Sequence, residues 1–255
     1  MRIAILYICT GKYACFFDDF YRSAEKYMLQ GVDKRYFVFS DNTDLTQAKN
    51  VTLIKRECKG FPMDSLMRFD MFLSIADELK GYDYTFFFNA NMLFVAPVGE
   101  EILPKHLAAV IHPGYYNKPS WRYPYERNKH SKAYIPAYEK NYRYYMGSFN
   151  GGKTEDYLQL SATCNKLIHE DMANGIIARF HDESHLNHYL RSHECLALSP
   201  SYAYIENKNM PFEPKIIIRD KTQIDAYFDK GRNHSLMSMA LKAVRILWGG
   251  LKWYF

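Results

Sequence analysis

The fold is decided by residues 84–95, Tyr-Thr-Phe-Phe-Phe-Asn-Ala-Asn-Met-Leu-Phe-Val. This apolar and aromatic run lies between Gly81 and Pro97, and it predicts a strand that is buried on both faces. Strands of this kind belong to mostly parallel sheets that are covered by helices. The sequence therefore predicts an α/β fold.

Two amides, Asn89 and Asn91, interrupt this apolar run. Because successive side chains of a strand point to opposite faces, we expect both amides on one face. A buried amide costs free energy unless a partner satisfies it. Open α/β sheets bind ligands where their strands end, so the amides indicate a ligand site. Asparagine is also common at a plain strand-to-turn junction, and that alternative stays open.

The composition limits the classes of protein to which this chain can belong. The chain has 255 residues, 48% of them hydrophobic, which is enough for one large domain or two tightly packed lobes. The net charge of +5 suits an anionic ligand or surface, and no nucleic-acid motif accompanies it. Five cysteines without a Cys-x-x-Cys pair favour a reducing compartment. There is no signal-peptide pattern and no bilayer-spanning apolar run, so we expect a cytoplasmic protein.

Strands and helices alternate along the chain. Further strands are predicted at residues 3–9, 36–39, 51–54 and 107–111, and helices at about 18–30, 64–79 and 155–174. The first strand is followed by a turn at Gly11 and then by a helix, which is where open α/β sheets take nucleotides.

Residues 1–222 resemble the bacterial branch of the histo-blood-group A/B and α1,3-galactosyltransferase family. The resemblance is carried by Asn89-Ala90-Asn91, His112-Pro113-Gly114, Met146-Gly147-Ser148 and the run His-Asp-Glu-Ser-His-Leu-Asn at residues 181–187. It implies a Rossmann-like GT-A fold, with a nucleotide-binding part at about residues 1–112 and an acceptor-binding part at about 113–222. It also implies a tyrosine-rich acceptor loop at 115–143.

The resemblance further implies that no metal cofactor is needed. Most of the family carries Asp-x-Asp at the end of the aromatic strand, whereas the bacterial branch carries Asn-x-Asn and works without a metal. The chemistry agrees, because sites for Mg²⁺ and Mn²⁺ normally supply carboxylates. The expected partners are a UDP-sugar and a glycan, with no nucleic acid.

By the same resemblance, the site residues fall into four groups. The catalytic carboxylate is Glu183. Residues that bind the nucleotide and donor are expected at Ile8, Cys9, Thr10, Tyr13, Arg68, Asn89, Ala90, Asn91, Asp182, Arg219 and Lys221. Donor-sugar choice is expected at Met146, Gly147 and Ser148. Acceptor contacts are expected at His112, Pro113, Tyr125, Phe180 and His181.

The implied reaction moves a hexose from UDP to a sugar hydroxyl with retention. Glycosidases need two carboxylates, one of them an acid for the leaving oxygen. UDP needs charge stabilisation instead, so Glu183 alone suffices, either as nucleophile or as stabiliser of an oxocarbenium ion. Lys221 and Arg219 would neutralise the diphosphate. The Met-Gly-Ser run is nearer the galactose pattern of the family, which favours UDP-galactose over UDP-N-acetylgalactosamine.

The resemblance places the acceptor among β-galactosides, as an H-type glycan on a bacterial surface polysaccharide or its lipid-linked precursor. The tail at residues 223–255 is basic and aromatic. It predicts either a peripheral contact with the inner face of the membrane or packing on the domain or a second copy.

Several alternatives remain at the level of sequence. Arg68 could form a structural ion pair with Asp70 or Asp77. Tyr13, His112 and the cations near residue 220 could be purely structural. Histidines 181, 185 and 188 could hold zinc. The whole chain could also be a non-catalytic glycan- or nucleotide-binding module, or a nucleotidyltransferase, although the latter needs carboxylates where the two amides stand.

Overall fold

A computed structural model describes residues 1–45, 47–137, 143–228 and 244. Its strands are β1 (Arg2–Ile8), β2 (Asp33–Ser40), β3 (Val51–Lys55), β4 (Tyr84–Asn89), β5 (Met92–Phe94), β6 (Leu107–Ile111), β7 (Tyr145–Lys153), β8 (Cys195–Leu198), β9 (Tyr204–Ile205) and β10 (Ile216–Ile218). Its α-helices are α1 (Phe17–Tyr27), α2 (Met63–Leu66), α3 (Arg68–Leu73), α4 (Ala76–Leu79), α5 (Thr154–Ala173) and α6 (His181–Leu190). A 3₁₀ turn, Gly11–Phe16, follows β1.

The central sheet has seven strands in the order β3-β2-β1-β4-β7-β6-β8. Strand β7 is antiparallel to both of its neighbours, whereas the other paired strands run parallel. Apolar side chains cover both faces, with Phe86 and Phe88 in one core cluster and Phe87 in the other. The predicted α/β fold, with a mostly parallel sheet and a central strand buried on both faces, is confirmed.

The prediction of one strand at residues 84–95 is wrong, because the chain turns after Asn89. Strand β4 ends there, and β5 belongs to a separate three-stranded sheet with β10 and β9. The turn is fixed by hydrogen bonds. The Tyr7 hydroxyl donates to the Ala90 carbonyl (2.6 Å), and Asn91 exchanges two bonds with the main chain of Arg219 (both 2.9 Å). Strand alternation therefore does not relate the two amides to each other.

Two predicted helices are shorter than expected. Helix α1 ends at Tyr27 because Met28 is extended and Leu29 donates to the Val98 carbonyl (2.7 Å). The predicted helix at 64–79 is instead three short helices, α2 to α4. At the second break the Ser74 hydroxyl donates to the Met71 carbonyl (2.6 Å), a local bond that competes with helix continuation.

Strand β7 depends on a glycine that packs against β4. A Cβ atom on Gly151 would overlap the Thr85 carbonyl oxygen and the Phe86 side chain. Glycine therefore permits the pairing of β4 with β7, although a glycine-rich run is unfavourable for a strand. The sequence analysis consequently assigned this run no strand.

The C-terminal tail lies mostly outside the described residues, with 223–228 and Val244 as the exceptions. The two possibilities raised for it from sequence stay predictions. In the part of the chain that is described, no helix has both the length and the apolarity to cross a membrane.

Candidate active site

The ends of several strands meet at one edge of the central sheet. Ile8, the last residue of β1, pairs with Asn89, the last residue of β4. Phe88 pairs with Phe149, so the first half of the antiparallel β7 lies at the same edge. This is the carboxyl edge of the parallel strands, where α/β sheets bind their ligands.

Glu183 lies in the first turn of α6 and faces this edge. One carboxylate oxygen accepts from the Gly147 backbone N–H (2.7 Å), and the other accepts from the Tyr144 hydroxyl. Burial raises the pKa of the Glu183 carboxyl to about 7, and the two hydrogen bonds oppose that rise. The residue is half-buried. One donor from β7 and one from the residue just before that strand thus fix the orientation of a carboxylate that keeps some access to solvent.

Arg68 links Asp182, the residue before Glu183, to strand β7. Its Nε lies 3.0 Å from the Asp182 carboxylate, and its Nη1 donates to the Gly147 carbonyl (2.6 Å). Both charged residues are buried, at 6% and 4% exposure. Burial raises the pKa of the Asp182 carboxyl, and the Arg68 guanidinium opposes that rise. The alternative pairing of Arg68 with residues of its own helical segment is wrong.

Gly147 is the centre of this cluster because both of its main-chain groups are used. Its N–H serves Glu183, and its carbonyl accepts from Arg68 and from Asn150 Nδ2 (3.1 Å). A Cβ atom here would lie 3.2 Å from Asp182 Oδ2 and 3.4 Å from Glu183 Cβ. A larger residue would therefore press on both carboxylate-bearing side chains.

Asn187 fixes α6 against β7. Its amide donates to the carbonyls of Tyr145 (2.8 Å) and Glu183 (2.9 Å), and its oxygen accepts from the Tyr145 N–H (2.9 Å). Neither Asn187 nor Tyr144 was given a role from sequence. Asn187 lies four residues after Glu183, within the same motif, and that spacing was a signal for it. Tyr144 is 39 residues away from Glu183, so local sequence carried no signal for it.

The predicted nucleotide residues cluster at the end of β1. The Thr10 hydroxyl donates to the Asp64 carboxylate (2.9 Å), and the Gly11 N–H donates to Asp41 (2.7 Å). Cys9 is fully buried and Ile8 half-buried. Neither carboxylate was assigned to the site from sequence, because each comes from a loop or helix that is distant along the chain.

The segment that follows β10 packs onto the 3₁₀ turn. Lys221 Nζ donates to the Tyr13 hydroxyl (2.8 Å), and the Phe228 ring lies 4.9 Å from the Tyr13 ring. Arg219 forms an ion pair with Asp19 (2.8 Å). The structure thus brings Lys221 to the predicted base-binding tyrosine, whereas Arg219 already has a carboxylate partner.

The predicted acceptor residues surround Tyr144 and the start of α6. Burial lowers the pKa of His112 to about 4, and its ring lies 5.6 Å from the Tyr144 ring. Tyr125 is buried behind Tyr144 and donates to the Arg143 carbonyl (2.8 Å). Phe180 is 37% exposed, and His181 has a left-handed backbone with φ of 50°.

Three further predicted site residues, Pro113, Met146 and Ser148, are also partly or fully buried. Pro113 is buried after β6, and Met146 is half-buried against the main core. Ser148 is 3% exposed, and its hydroxyl has no hydrogen-bond partner among the described residues.

A family model described as glycosyltransferase family 6 matches residues 1–225. The chain belongs to glycosyltransferase family 6. The resemblance inferred from sequence is confirmed, and the protein is a glycosyltransferase. Enzymes of this class bind a nucleotide-sugar donor and a glycan acceptor.

Several curated relatives are similar over most of this glycosyltransferase. The Escherichia coli O-antigen biosynthesis glycosyltransferase WbnI is 41% identical over 230 residues, which are 89% of this chain and 98% of that protein. Globoside alpha-1,3-N-acetylgalactosaminyltransferase 1 of Gallus gallus is 32% identical, over 91% of this chain and 70% of that protein. Histo-blood group ABO system transferase 1 of Rattus norvegicus is 34% identical, over 79% and 60%.

Proposed function

We propose that this glycosyltransferase moves galactose, or N-acetylgalactosamine, from its UDP-sugar in α1,3 linkage to a β-galactoside, with retention and without a divalent metal. The observation that supports the proposal most is the fixation of Glu183. Its carboxylate is held by Gly147 and Tyr144 at the ligand-binding edge, next to the buried pair of Arg68 and Asp182. A single oriented carboxylate is what a retaining transfer from a good leaving group needs.

In this mechanism, the bond from the anomeric carbon to the UDP oxygen breaks, and a bond to the acceptor oxygen forms. The acceptor hydroxyl loses its proton to the departing diphosphate. The anionic Glu183 either bonds transiently to the anomeric carbon or stabilises its positive charge. His112 is neutral near pH 7, because burial lowers its pKa to about 4, so it serves as a hydrogen-bond partner for sugar hydroxyls.

The residues at the expected metal position do not suit a hard cation. Asn89 and Asn91 are neutral, and Asn91 Nδ2 is used to hold the Arg219 carbonyl (2.9 Å). We therefore assign diphosphate neutralisation to Lys221 and Arg219. Lys221 donates to a neutral phenol and has no carboxylate partner in the described part of the chain, so it can be redirected to phosphate at little cost.

The donor preference follows from β7. Met146 and Ser148 flank Gly147, and the Ser148 hydroxyl is buried without a described partner, so a sugar hydroxyl could satisfy it. The Met-Gly-Ser run is nearer the family's galactose pattern than its N-acetylgalactosamine pattern, and this favours UDP-galactose. The similarity to WbnI, an O-antigen biosynthesis glycosyltransferase, supports a surface polysaccharide or its lipid-linked precursor as the acceptor. The H-type terminus is proposed from the family resemblance alone.

A donor and metal screen tests this function. The full-length protein is incubated with UDP-Gal or UDP-GalNAc and with fucosylated or plain lactosides, in EDTA or in Mn²⁺, and products are assigned by mass spectrometry and NMR. We expect α1,3 transfer of galactose that persists in EDTA. Transfer that disappears in EDTA and returns with Mn²⁺ contradicts metal independence, and no transfer from either donor contradicts the proposed activity.

Replacement of Lys221 by Ala should lower kcat about tenfold to a hundredfold with little change in acceptor KM, because a charge-assisted hydrogen bond contributes roughly 1.5–3 kcal/mol. Steady-state kinetics with varied acceptor measure both constants. Lys105→Ala, at an exposed position before β6, is the matched control and should behave like the unmodified protein. An unchanged kcat would remove Lys221 from this role.

Replacement of Tyr144 by Phe should move the acidic limb of the kcat/KM profile to higher pH. The anionic form of Glu183 reacts, and its pKa is about 7, so kcat/KM rises with pH through that value. The Tyr144 hydroxyl opposes the rise in that pKa, so its loss raises the pKa further. We expect an upward shift of about one unit.

The matched control for this change is Tyr123→Phe, which removes a hydroxyl from the same aromatic cluster. Its profile should coincide with that of the unmodified protein. If both variants show the same limb, Tyr144 does not influence the ionisation of Glu183.

A further inference from the structure

A second buried carboxylate, Asp171, lies at the end of α5 and has three donors. Its side chain accepts from the Ser131 hydroxyl (2.6 Å) and the Lys132 N–H (2.7 Å), and it contacts His185 Nε2 (3.2 Å). Asp171 is 1% exposed and Ser131 5%. These bonds join the loop after β6 to α5 and α6.

His185 connects this carboxylate to the catalytic helix. It lies two residues after Glu183, is fully buried, and places Nδ1 3.1 Å from the His181 carbonyl. Both ring nitrogens therefore face acceptors, and only an imidazolium donates to both. Burial lowers the pKa of His185, whereas the Asp171 carboxylate opposes that change. Because the pKa of His185 is lowered overall, the ring is neutral near pH 7 and donates its one N–H to one of these two acceptors.

Glu126 forms a second attachment between the loop and the catalytic helix. One of its oxygens accepts from the Arg179 N–H (2.6 Å), directly before α6, and the other accepts from the Asn128 N–H (2.7 Å). Glu126 is 7% exposed. We call residues 125–135 the acceptor segment. It is thus attached at Glu126 and again at Ser131 and Lys132.

The acceptor segment reaches the reacting centre through aromatic contacts. The Tyr125 ring lies 5.5 Å from the Tyr144 ring, and Tyr144 donates to Glu183. The nucleotide residues Thr10 and Tyr13 are held by other partners, Asp64 and Lys221. Loosening the acceptor segment should therefore affect the acceptor pocket more than the donor pocket.

We propose that Asp171, His185 and Ser131 position the acceptor segment on the helix that carries Glu183, and so determine acceptor use. The inference rests on the proposed transfer function. These three are positioning residues, because they are buried and act through the acceptor segment and α6. They lie outside the site residues predicted from sequence.

The test compares Asp171→Asn and Ser131→Ala with the unmodified protein. For each, kcat and acceptor KM are measured for transfer, and the rate of UDP-sugar hydrolysis is measured without acceptor. We expect acceptor KM to rise about tenfold and donor hydrolysis to change less than about twofold. Ser131→Thr keeps the hydroxyl and should restore the acceptor KM.

Limited trypsin digestion gives a readout that does not depend on activity. Lys129 and Lys132 are exposed on the acceptor segment, so cleavage after them should be faster in both variants. Asp156→Asn is the matched control, because it breaks the partly exposed contact of Asp156 with His106 (3.1 Å) on the same helix α5. It should change neither cleavage nor KM.

An unchanged acceptor KM, or equal losses of transfer and donor hydrolysis, would overturn the inference. If Asp171→Asn does not fold, Ser131→Ala decides, since it removes one hydroxyl and no charge. Failure of the proposed function looks different. The unmodified protein would then show neither transfer nor hydrolysis of a UDP-sugar. The trypsin comparison would still report whether Asp171 and Ser131 hold the acceptor segment in place.

Discussion

Glu183→Gln should reduce sugar transfer about a thousandfold or more while UDP binding is retained. The amide keeps the shape of the side chain but has no negative charge to meet the anomeric carbon. Its single acceptor oxygen can serve Gly147 N–H, and the Tyr144 hydroxyl must then turn and accept from the amide NH2. Transfer kinetics together with calorimetric titration of UDP measure the two effects separately.

The matched control is Glu155→Gln, an exposed glutamate in the first turn of α5. It should retain the activity of the unmodified protein. Transfer by Glu183→Gln within about tenfold of that activity would mean that another group acts on the donor, because removal of a reacting carboxylate has a far larger effect.

Arg68→Met should lower the free energy of unfolding by about 3–5 kcal/mol, because it leaves the Asp182 carboxylate buried without its cation. The Gly147 carbonyl also loses its donor at 2.6 Å and retains only Asn150. Urea unfolding followed by circular dichroism measures the change, and sugar transfer should fall with it, since Gly147 also holds Glu183.

A double variant separates the effect of the unpaired Asp182 charge from the effect of losing the Arg68 side chain. In Arg68→Met with Asp182→Asn, no buried charge is left unpaired, so part of the lost stability should return. Arg22→Met, on the exposed face of α1, is the control and should stay within about 0.5 kcal/mol. If Arg68→Met alone is equally harmless, the pair does not support the site.

Local patterns in the sequence were sufficient for most of the elements. The aromatic run before Asn89 identified the central strand, and helix α5 was placed within one residue at each end. The turn after Asn89 was missed because its cause is distant: Asn91 is held by Arg219, which is 128 residues away. The breaks in the helix at 64–79 depend on a serine hydroxyl that local periodicity does not reveal.

For the site as well, residues within local motifs could be predicted, and partners that are distant in sequence could not. Motifs predicted roles for Glu183, Asp182 and Gly147. In the structure Arg68 contacts Asp182 and Gly147, and Gly147 in turn contacts Glu183. Tyr144 was missed, because its relation to Glu183 exists only when β7 and α6 are packed together. Hydrogen-bond partners that are distant in sequence are set by the tertiary fold. Residue types and their spacing predict only local structure and local motifs.

The main-chain contacts of Gly147 have a consequence for how proteins of this kind diverge. These bonds use only the main chain of Gly147, so the side chains of Met146 and Ser148 can be exchanged without removing the groups that hold Glu183 and Arg68. Under the proposed role of these two positions, the sugar preference can therefore change by single substitutions while the groups around Glu183 are kept. Gly147 itself has less freedom, since a β-carbon there would lie 3.2 Å from Asp182 Oδ2 and the buried carboxylate would have to move.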